Sequence, residues 1–211
     1  MHYSSSQAVP HLRHEQADWA DGLVVGGIDE VGRGAGAGPV VHAVVVLDPD
    51  KPILKLRDSK TLTSAARSHL AERIYERAHA VGIGQASATE VDTIGLSRAL
   101  QRSAERAINN LAIPLDSLLI DGNWDFCPHF SGKKTLITKG DRVSRSIAAA
   151  SIVAKVYRDT LMIDQSHTYP IYGFEANKGY LSTTHLEAIA QHGPSPLHRM
   201  SWAPIRQLSL F

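Results

Sequence analysis

The chain has 211 residues, with 22 Lys and Arg against 21 Asp and Glu, so its formal net charge is only +1. This length suits one domain with a sizeable core, and the charge excludes a chain that would attract a polyanion through its overall field alone. The single cysteine excludes an internal disulfide, and no apolar run is long enough to predict a membrane span. We therefore expect a cytoplasmic protein.

The predicted elements begin after a polar, His-rich stretch, residues 1–22, that we expect to be a flexible arm without the apolar core of a secretory signal. Runs rich in Val and Ile predict strands at 23–29 and 40–47, and the Gly-dense segment between them cannot be regular structure. Further strands are predicted at 81–86, 118–120 and 135–138, and helices at 64–80, 97–111, 144–165 and about 184–192. This order predicts an α/β or α+β domain on a mixed sheet.

Acidic side chains lie where three of the predicted strands end. Asp29 follows LVVGGI with Glu30 directly after it, Asp121 follows SLLI, and Asp141 comes just after TLIT. Strand ends are where ligand crevices form in open α/β sheets. Clustered carboxylates repel one another unless they are protonated or hold cations. Oxygen ligands without a Cys or His pattern favour Mg²⁺ or Mn²⁺ over Zn²⁺.

Simpler interpretations exist for two of these acids. Asp121 precedes Gly122-Asn123 and fits an ordinary turn, and Asp141 could cap the helix predicted to begin near 144. The adjacent pair Asp29-Glu30 has no such explanation, because charge at the mouth of a buried strand is costly without a purpose.

The segment Gly32-Arg33-Gly34 follows the acidic pair at once. Glycines allow a backbone to approach a ligand closely and to present its N–H groups, and an arginine fork suits phosphate. The segment is neither a Walker loop nor a dinucleotide-binding motif, because no Gly-Lys-Ser/Thr ends it and a strand, not a helix, follows. An ordinary turn between two strands is the alternative.

Seven basic residues lie between positions 133 and 158, with Asp141 as the one acid. In the helix predicted there, Ser144, Ser151, Lys155 and Arg158 fall near one face at spacings of three and four. A helix with one cationic face is most often a solvated surface helix. Because this face begins beside Asp141, phosphate contact is the other interpretation, and the spacing leaves both open.

The motifs of the chain, taken in order over roughly residues 23–205, resemble those of prokaryotic ribonuclease HII. The ordered set is specific, although no single piece is decisive. The matching segments are Gly27–Gly34 with Gly38–Val40, Asp58-Ser59-Lys60, Ile120–Asn123, Lys139-Gly140-Asp141, Ser146–Asp159, Lys178-Gly179-Tyr180, Thr184-His185 and His198–Ser201.

The resemblance implies a ribonuclease H-like α/β fold, with a mixed central sheet flanked by helices and a small C-terminal helical region. It implies that Asp29, Glu30, Asp121 and Asp141 are catalytic and ligate two divalent cations, Mg²⁺ or Mn²⁺. By analogy with two-metal nucleases, one ion activates water and the other stabilises the leaving 3′ oxygen. The expected products are a 5′-phosphate and a 3′-hydroxyl.

The resemblance also implies the substrates, namely the RNA strand of RNA/DNA hybrids and ribonucleotides embedded in duplex DNA, cut on their 5′ side. This activity serves ribonucleotide excision repair and DNA replication. Gly32, Arg33 and Gly34 would read the 2′-hydroxyl, and Tyr180 would stack on the neighbouring deoxyribose; a partly buried surface aromatic is the alternative for Tyr180. Further substrate contacts are expected from Ser59, Lys60, Lys139, Lys155 and Arg158.

Three other classes of protein are alternatives to ribonuclease HII. Ribonuclease HIII carries an extra N-terminal domain and lacks the Gly-Arg-Gly form, so we expect type HII. A resolvase or integrase of the same fold would cut DNA, and a non-catalytic hybrid-binding module would not need its carboxylates. We expect a monomer, since the fold needs no partner.

Residues 206–211 are expected to form a separate tail. The segment Gln207-Leu208-Ser209-Leu210-Phe211 resembles the pentapeptide by which bacterial proteins bind the β sliding clamp. Leu208, Leu210 and Phe211 could enter an apolar groove while Gln207 fixes the register. The alternative is a tail that folds back onto the core.

Overall fold

The computed structural model describes residues 9–56, 59 and 62–208, and the side chain of Leu208 is not part of the description. Five strands form one mixed sheet: β1 (Val25–Val31), β2 (Val40–Val46), β3 (Ala80–Ala86), β4 (Ser117–Asp121) and β5 (Lys133–Ile137). Their order across the sheet is β3-β2-β1-β4-β5. The pairs β1–β2 and β2–β3 are antiparallel, and β4 pairs in parallel with both β1 and β5.

Eight helices surround this sheet in the described part of the chain. They are α1 (Arg13–Ala20), α2 (Ser64–Arg77), α3 (Ala88–Ile94), α4 (Leu96–Asn109), α5 (Arg145–Thr168), α6 (Phe174–Asn177), α7 (Thr183–His192) and α8 (Ala203–Leu208). No helix among the described residues has the length and apolar character needed to cross a bilayer. The predicted mixed sheet flanked by helices is confirmed.

The core lies on both faces of the sheet. Helix α5 packs on one face against β1 and β2, and α4 covers β2 and β3 on the other. The approach of α5 is so close that a Cβ on Gly27 would lie 2.3 Å from the backbone N of Ile147. Glycine is therefore required at that position of β1.

The small C-terminal helical region predicted from the sequence is present. Helices α6, α7 and α8 pack on the second half of α5 through Met162, Tyr172, Phe174, Ile189 and Ile205, which are all buried. This cluster fixes the loops around residues 178–182 and 195–202 against the Gly-rich segment that follows β1.

The flexible arm predicted for residues 1–22 is wrong for its second half, and residues 1–8 lie outside the described residues. Helix α1 is held by two buried acids. Glu15 accepts hydrogen bonds from the Ser144 and Ser146 hydroxyls and from the Ser146 amide, at 2.6–2.8 Å. Asp18 accepts from Ser117 and from the Lys133 ammonium, both at 2.5 Å. Polar rather than apolar groups dock this helix, so hydrophobic periodicity could not reveal it.

Candidate active site at the ends of strands β1 and β4

Two of the predicted acids occupy matching positions on neighbouring parallel strands. Ile28 of β1 pairs with Ile120 of β4, so Asp29 and Asp121 are the next residues along the two strands. Side chains at matching positions of a parallel pair lie on the same face of the sheet. The sheet register therefore brings these two carboxylates together, as the sequence predicted.

Asp29 is, with Asp141, one of two buried acids in this group. Burial raises the pKa of its carboxyl well above the usual range, and the negative charges of Asp121 and Glu30 raise it further. Its Oδ1 accepts the Glu30 amide at 2.7 Å, and Ser151 of α5 hydrogen-bonds to its side chain. These hydrogen bonds favour the charged form but do not offset burial and repulsion, so the site favours a compensating positive charge.

The other two acids adjoin this pair. Glu30 lies 3.9 Å from an Arg33 guanidinium nitrogen, measured from its Oε1. Asp141 is buried in the 3₁₀ turn Gly140–Arg142. The amide of Gly140 donates to Asp121 Oδ1 at 2.6 Å, which fixes the turn that carries Asp141 beside the end of β4.

The chemistry of this site fits a divalent metal ion. The donors are carboxylate oxygens, which Mg²⁺ and Mn²⁺ prefer, and a cation would offset the charge that raises the pKa of Asp29. Among the described residues, no group of three or more His, Cys, Asp or Glu side chains is arranged to hold a metal ion. Ligation by all four acids therefore stays a prediction.

The Gly32–Gly34 segment forms the wall next to these acids. Gly32 has a φ of +84°, whereas a Cβ on Gly34 would have no atom of the described residues within 4 Å. The Arg33 side chain is largely exposed. Within the described residues, the amides of Arg33 and Gly34 make no hydrogen bond, so both can donate to a ligand.

Tyr180 lies next to this loop. The amides of Gly36 and Ala37 both donate to the Gly179 carbonyl, at 2.9 and 3.0 Å. The Tyr180 ring is partly exposed, and the Arg158 guanidinium carbon lies 5.4 Å from its centroid. The structure therefore brings Tyr180 and the Gly-rich loop together, as expected.

The structure corrects two of the expected substrate contacts. Arg158 is fully buried and donates to backbone carbonyls, so it cannot reach a phosphate. Ser59 is buried too, and its hydroxyl lies 2.9 Å from that of Ser151, the residue hydrogen-bonded to Asp29. The predicted solvated or cationic face of α5 is thus wrong at Arg158, because long-range carbonyl partners draw that side chain inward.

The three lysines expected to contact the substrate differ in their exposure and in their ion-pair partners. Lys139 is exposed and has the left-handed φ of 57° directly before Gly140 and Asp141. Lys155 is half-buried, and its ammonium lies 2.6 Å from Asp159. Lys60 lies outside the described residues. Contact of Lys139 or Lys155 with phosphate stays a prediction.

The tail residues are only partly described. Gln207 is exposed in the last turn of α8, so the expected separate tail is helical at its start. Leu210 and Phe211 lie outside the described residues, as does the side chain of Leu208.

Four residues adjoin the site although the sequence alone indicates no role for them. Arg199 is buried under the Gly-rich loop, Ser151 contacts Asp29, and His185 and His198 are hydrogen-bonded to each other at 2.9 Å. All four belong to motifs of the resemblance, but only the folded structure brings their partners together.

A mixed sheet with acids on adjacent parallel strands, beside a loop that offers free amides and an exposed aromatic ring, defines a ribonuclease H-like enzyme. The chain matches the family described as Ribonuclease HII over residues 26–205. It is 46% identical to the ribonuclease HII of Synechococcus sp. (strain JA-3-3Ab), covering 94% of this chain and 90% of that one. It is also 46% identical to the Dechloromonas aromatica (strain RCB) ribonuclease HII, covering 90% of this chain and 95% of that one.

Solved structures agree with these sequences. The ribonuclease H2 of Pyrococcus horikoshii OT3 superimposes with a TM-score of 0.75 at 26% identity, covering 88% of this chain and 97% of that one. The chain belongs to the ribonuclease HII family. It is a ribonuclease H of type HII, an enzyme family that cleaves RNA in RNA/DNA hybrids and uses divalent metals.

Proposed function

We propose that this enzyme incises duplex DNA on the 5′ side of single embedded ribonucleotides, as well as cleaving the RNA strand of hybrids. The observation that carries this proposal is the open space at Gly34. No atom of the residues that the structure describes would contact a Cβ there, so their packing does not require glycine at this exposed position. Close approach of a ligand to the backbone does require it.

The residues around the loop suit recognition of one ribose. The unpaired amides of Arg33 and Gly34 can donate to a sugar hydroxyl or a phosphate oxygen. The exposed face of Tyr180 can stack on the next sugar, because Gly179 is hydrogen-bonded to the loop. A ribonucleotide followed by a deoxyribonucleotide would place the ribose at the loop amides and the deoxyribose against the Tyr180 ring at the same time.

The reaction we propose is two-metal-ion hydrolysis that leaves a 5′-phosphate and a 3′-hydroxyl. Asp29, Glu30, Asp121 and Asp141 would hold the metal ions, Mg²⁺ or Mn²⁺, and bound divalent cations activate water and stabilise the leaving oxygen. In this chain, Ser151 and the Glu30 amide orient the Asp29 carboxylate, and the Gly140 amide orients that of Asp121.

The test is an incision assay on three matched duplexes: one with a single ribonucleotide, one of DNA alone and one RNA/DNA hybrid. We expect metal-dependent cleavage of the first and third, with a product that ends on the 5′ side of the ribonucleotide. Equal cleavage of the all-DNA duplex would instead indicate a DNA-cutting nuclease. Binding without cleavage in Mg²⁺ and in Mn²⁺ would indicate a hybrid-binding module.

We also propose that residues 206–211 deliver the catalytic domain, residues 23–205, to a bacterial β sliding clamp. The support is the sequence of the segment, in which Gln207 precedes three apolar residues, together with the exposure of Gln207. Because Gln207 is helical here, binding in an extended form would require the last turn of α8 to unwind.

Titration of the labelled enzyme with purified β clamp tests this second proposal. We expect the double substitution Leu210→Ala and Phe211→Ala to abolish binding while leaving incision of a free oligonucleotide duplex unchanged. Clamp binding that survives the double substitution, or an absence of binding by the unmodified chain, would overturn the proposal.

A further inference from the structure

Two arginine side chains lie fully buried beneath the Gly-rich loop. Arg158 comes from α5, and Arg199 from the turn before α8. Burial lowers the pKa of both guanidinium groups, to about 10 for Arg199. No carboxylate of the described residues lies within ion-pair distance of either one, and every hydrogen bond described for their side chains goes to a backbone carbonyl. Two buried cations without partner anions are costly, which points to a requirement beyond packing.

Arg158 joins two separate segments of the proposed substrate site. Its Nε donates to Pro39 O and its Nη2 to Ala37 O, both at 2.9 Å. Its Nη1 donates to Lys178 O at 2.8 Å, two residues before Tyr180. One planar, rigid group thus sets the distance between the loop and the turn that carries the tyrosine.

Arg199 closes the loop on itself. Its Nη2 donates to Gly32 O at 2.7 Å and to Gly38 O at 2.9 Å, and its Nη1 donates to Arg33 O at 3.0 Å. The Gly32, Arg33 and Gly38 carbonyls are therefore engaged by Arg199, while the amides of Arg33 and Gly34 have no partner among the described residues.

The loop rests directly on these side chains. A Cβ on Gly32 would lie 2.2 Å from Arg158 Nε and 2.7 Å from Pro39 O. Gly32 also has a positive φ, so any side chain there would be strained as well as blocked. A side chain at position 32 would therefore have to displace the Arg158 guanidinium.

Tyr180 is fixed independently through its own carbonyl. The Ser195 amide can only donate, so His198 Nδ1 is the acceptor of that 2.8 Å bond and its proton lies on Nε2. That proton points to His185 Nε2 at 2.9 Å, and His185 Nδ1–H then donates to Tyr180 O at 2.9 Å. The tyrosine backbone is therefore held at its carbonyl. The Gly36 and Ala37 amides join the loop to Gly179 O, and Arg158 adds the side-chain link that joins the loop to Lys178 O.

We propose that Arg158 is a positioning residue that sets the register between the ribose-reading loop and Tyr180, with Arg199 holding the shape of the loop. This inference rests on the proposed function. A single embedded ribonucleotide offers one register in which the loop meets the 2′-hydroxyl while the ring meets the next deoxyribose. A continuous hybrid offers a 2′-hydroxyl at every step, so its cleavage tolerates a shifted register.

The test compares Arg158→Lys with wild type on both substrates. A lysine can donate to one segment but cannot span both. We expect kcat/KM on the single-ribonucleotide duplex to fall about 100-fold, the order of loss caused by a displacement of about 1 Å, and to fall much less on the hybrid. Arg98→Lys, the same change at an exposed arginine of α4, is the matched control and should leave both values unchanged.

Several outcomes would overturn the inference. A folded Arg158→Lys enzyme that keeps the wild-type ratio between the two substrates would reduce Arg158 to a packing role. If the lysine variant does not fold, Arg158→Gln, which buries no charge, gives the same comparison. Failure of wild type to incise at a ribonucleotide would sink the proposed function instead, so the two failures are distinguishable.

Hydrogen exchange gives a test that does not depend on cleavage. The amides of Gly36, Ala37 and Gly38 donate to Gly179 O and Leu197 O, so they should exchange slowly in wild type whatever the role of Arg158. If Arg158 also ties the loop to α5, these amides should exchange clearly faster in Arg158→Lys than in wild type; unchanged exchange would contradict the proposal.

Discussion

Asp29 is buried beside two negative charges, and the loss of folding stability that this causes can be measured. Its folded-state pKa is raised above the ordinary value of 3.8. The stability linked to this group is therefore fully present below the unfolded pKa and is lost as the pH rises through the folded pKa. Without metal, this carboxyl therefore costs the folded state stability at any pH well above its unfolded pKa.

We therefore expect Asp29→Asn to raise the melting temperature of the metal-free protein at pH 7 and to abolish cleavage. The loss of activity should exceed the roughly 10- to 100-fold typical of removing a residue that only supports a metal ligand. Differential scanning fluorimetry in EDTA and then in Mg²⁺ measures the first effect. We expect Mg²⁺ to stabilise wild type much more than the variant. A variant that cleaves, or that melts lower than wild type in EDTA, would contradict this account.

Gly32 and Gly34 are two residues apart, and the same substitution should act on them in opposite ways. Gly34→Ala meets no protein atom, so we expect stability within about 1 kcal/mol of wild type and a strong loss of ribonucleotide incision. Gly32→Ala meets Arg158 at a positive φ, so we expect destabilisation of at least about 1–2 kcal/mol. Urea unfolding together with the incision assay separates the two. Full activity of Gly34→Ala would remove the main support for ribose recognition.

At the scale of single elements, α1 shows how a polar helix can be integral to the fold. Three donors converge on Glu15 Oε1 at the start of α5, the helix that follows the Asp141 turn. Removing an acceptor from buried donors costs about 1–3 kcal/mol.

We accordingly expect Glu15→Ala to lower the free energy of unfolding by about 2–3 kcal/mol. Glu72→Ala, a loss of the same side chain from the exposed face of α2, is the control and should change it by less than about 0.5 kcal/mol. Chemical denaturation measures both. Equal effects of the two substitutions would show that α1 is not docked through Glu15.

The elements recovered from the sequence share one property, which is that most of their buried side chains are apolar. Periodicity placed β2 and α4 within two residues of their ends, and it placed the long helix α5 within three. It failed for α1, whose inward residues are Glu15 and Asp18. It also misassigned Arg158, because helical spacing shows which residues share a face but not what covers that face.

The sequence likewise predicts one part of the candidate site, the acids, but not the roles of the buried arginines. Acids at strand ends are visible in the sequence because each follows an apolar run, and the register of β1 and β4 brings Asp29 beside Asp121. The carbonyl partners of Arg158 and Arg199 are contributed by segments far away in the chain. No local pattern encodes such contacts, so these roles needed the folded structure.

At the scale of the whole molecule, two buried histidines should limit stability in acid. Burial lowers the pKa of His42 to about 3 and that of His198 to about 4, and the charge of His185 also lowers the latter. Since both folded values lie below the ordinary 6.5, the unfolded chain binds protons more readily between these pH values. The stability linked to these groups is present above the unfolded pKa and is lost as the pH falls.

We therefore expect the free energy of unfolding to fall as the pH drops from about 6.5 towards 4, by about 1.4 kcal/mol for each unit of pKa shift of a given histidine. The substitution His42→Leu should flatten this dependence, because it removes a ring whose Nε2 has no hydrogen-bond partner among the described residues. Urea unfolding across the pH range measures both slopes. An unchanged slope in His42→Leu would show that this ring does not control the acid limit.

The strand order of the mixed sheet also affects the order in which the chain folds during synthesis. Strands β1, β2 and β3 form an antiparallel meander of neighbours, whereas β4 reaches β1 only after α2, β3, α3 and α4 have been synthesised. Pairings between distant parts of a chain form late, because a large loop must close first. A nascent chain would thus carry Asp29 and Glu30 before Asp121 and Asp141 are in place, so its carboxylate cluster would still be incomplete. Pulse-labelled hydrogen exchange should show protection of the β2–β3 amides before that of β4; the reverse order would contradict this view of an enzyme that becomes competent only when its last strands dock.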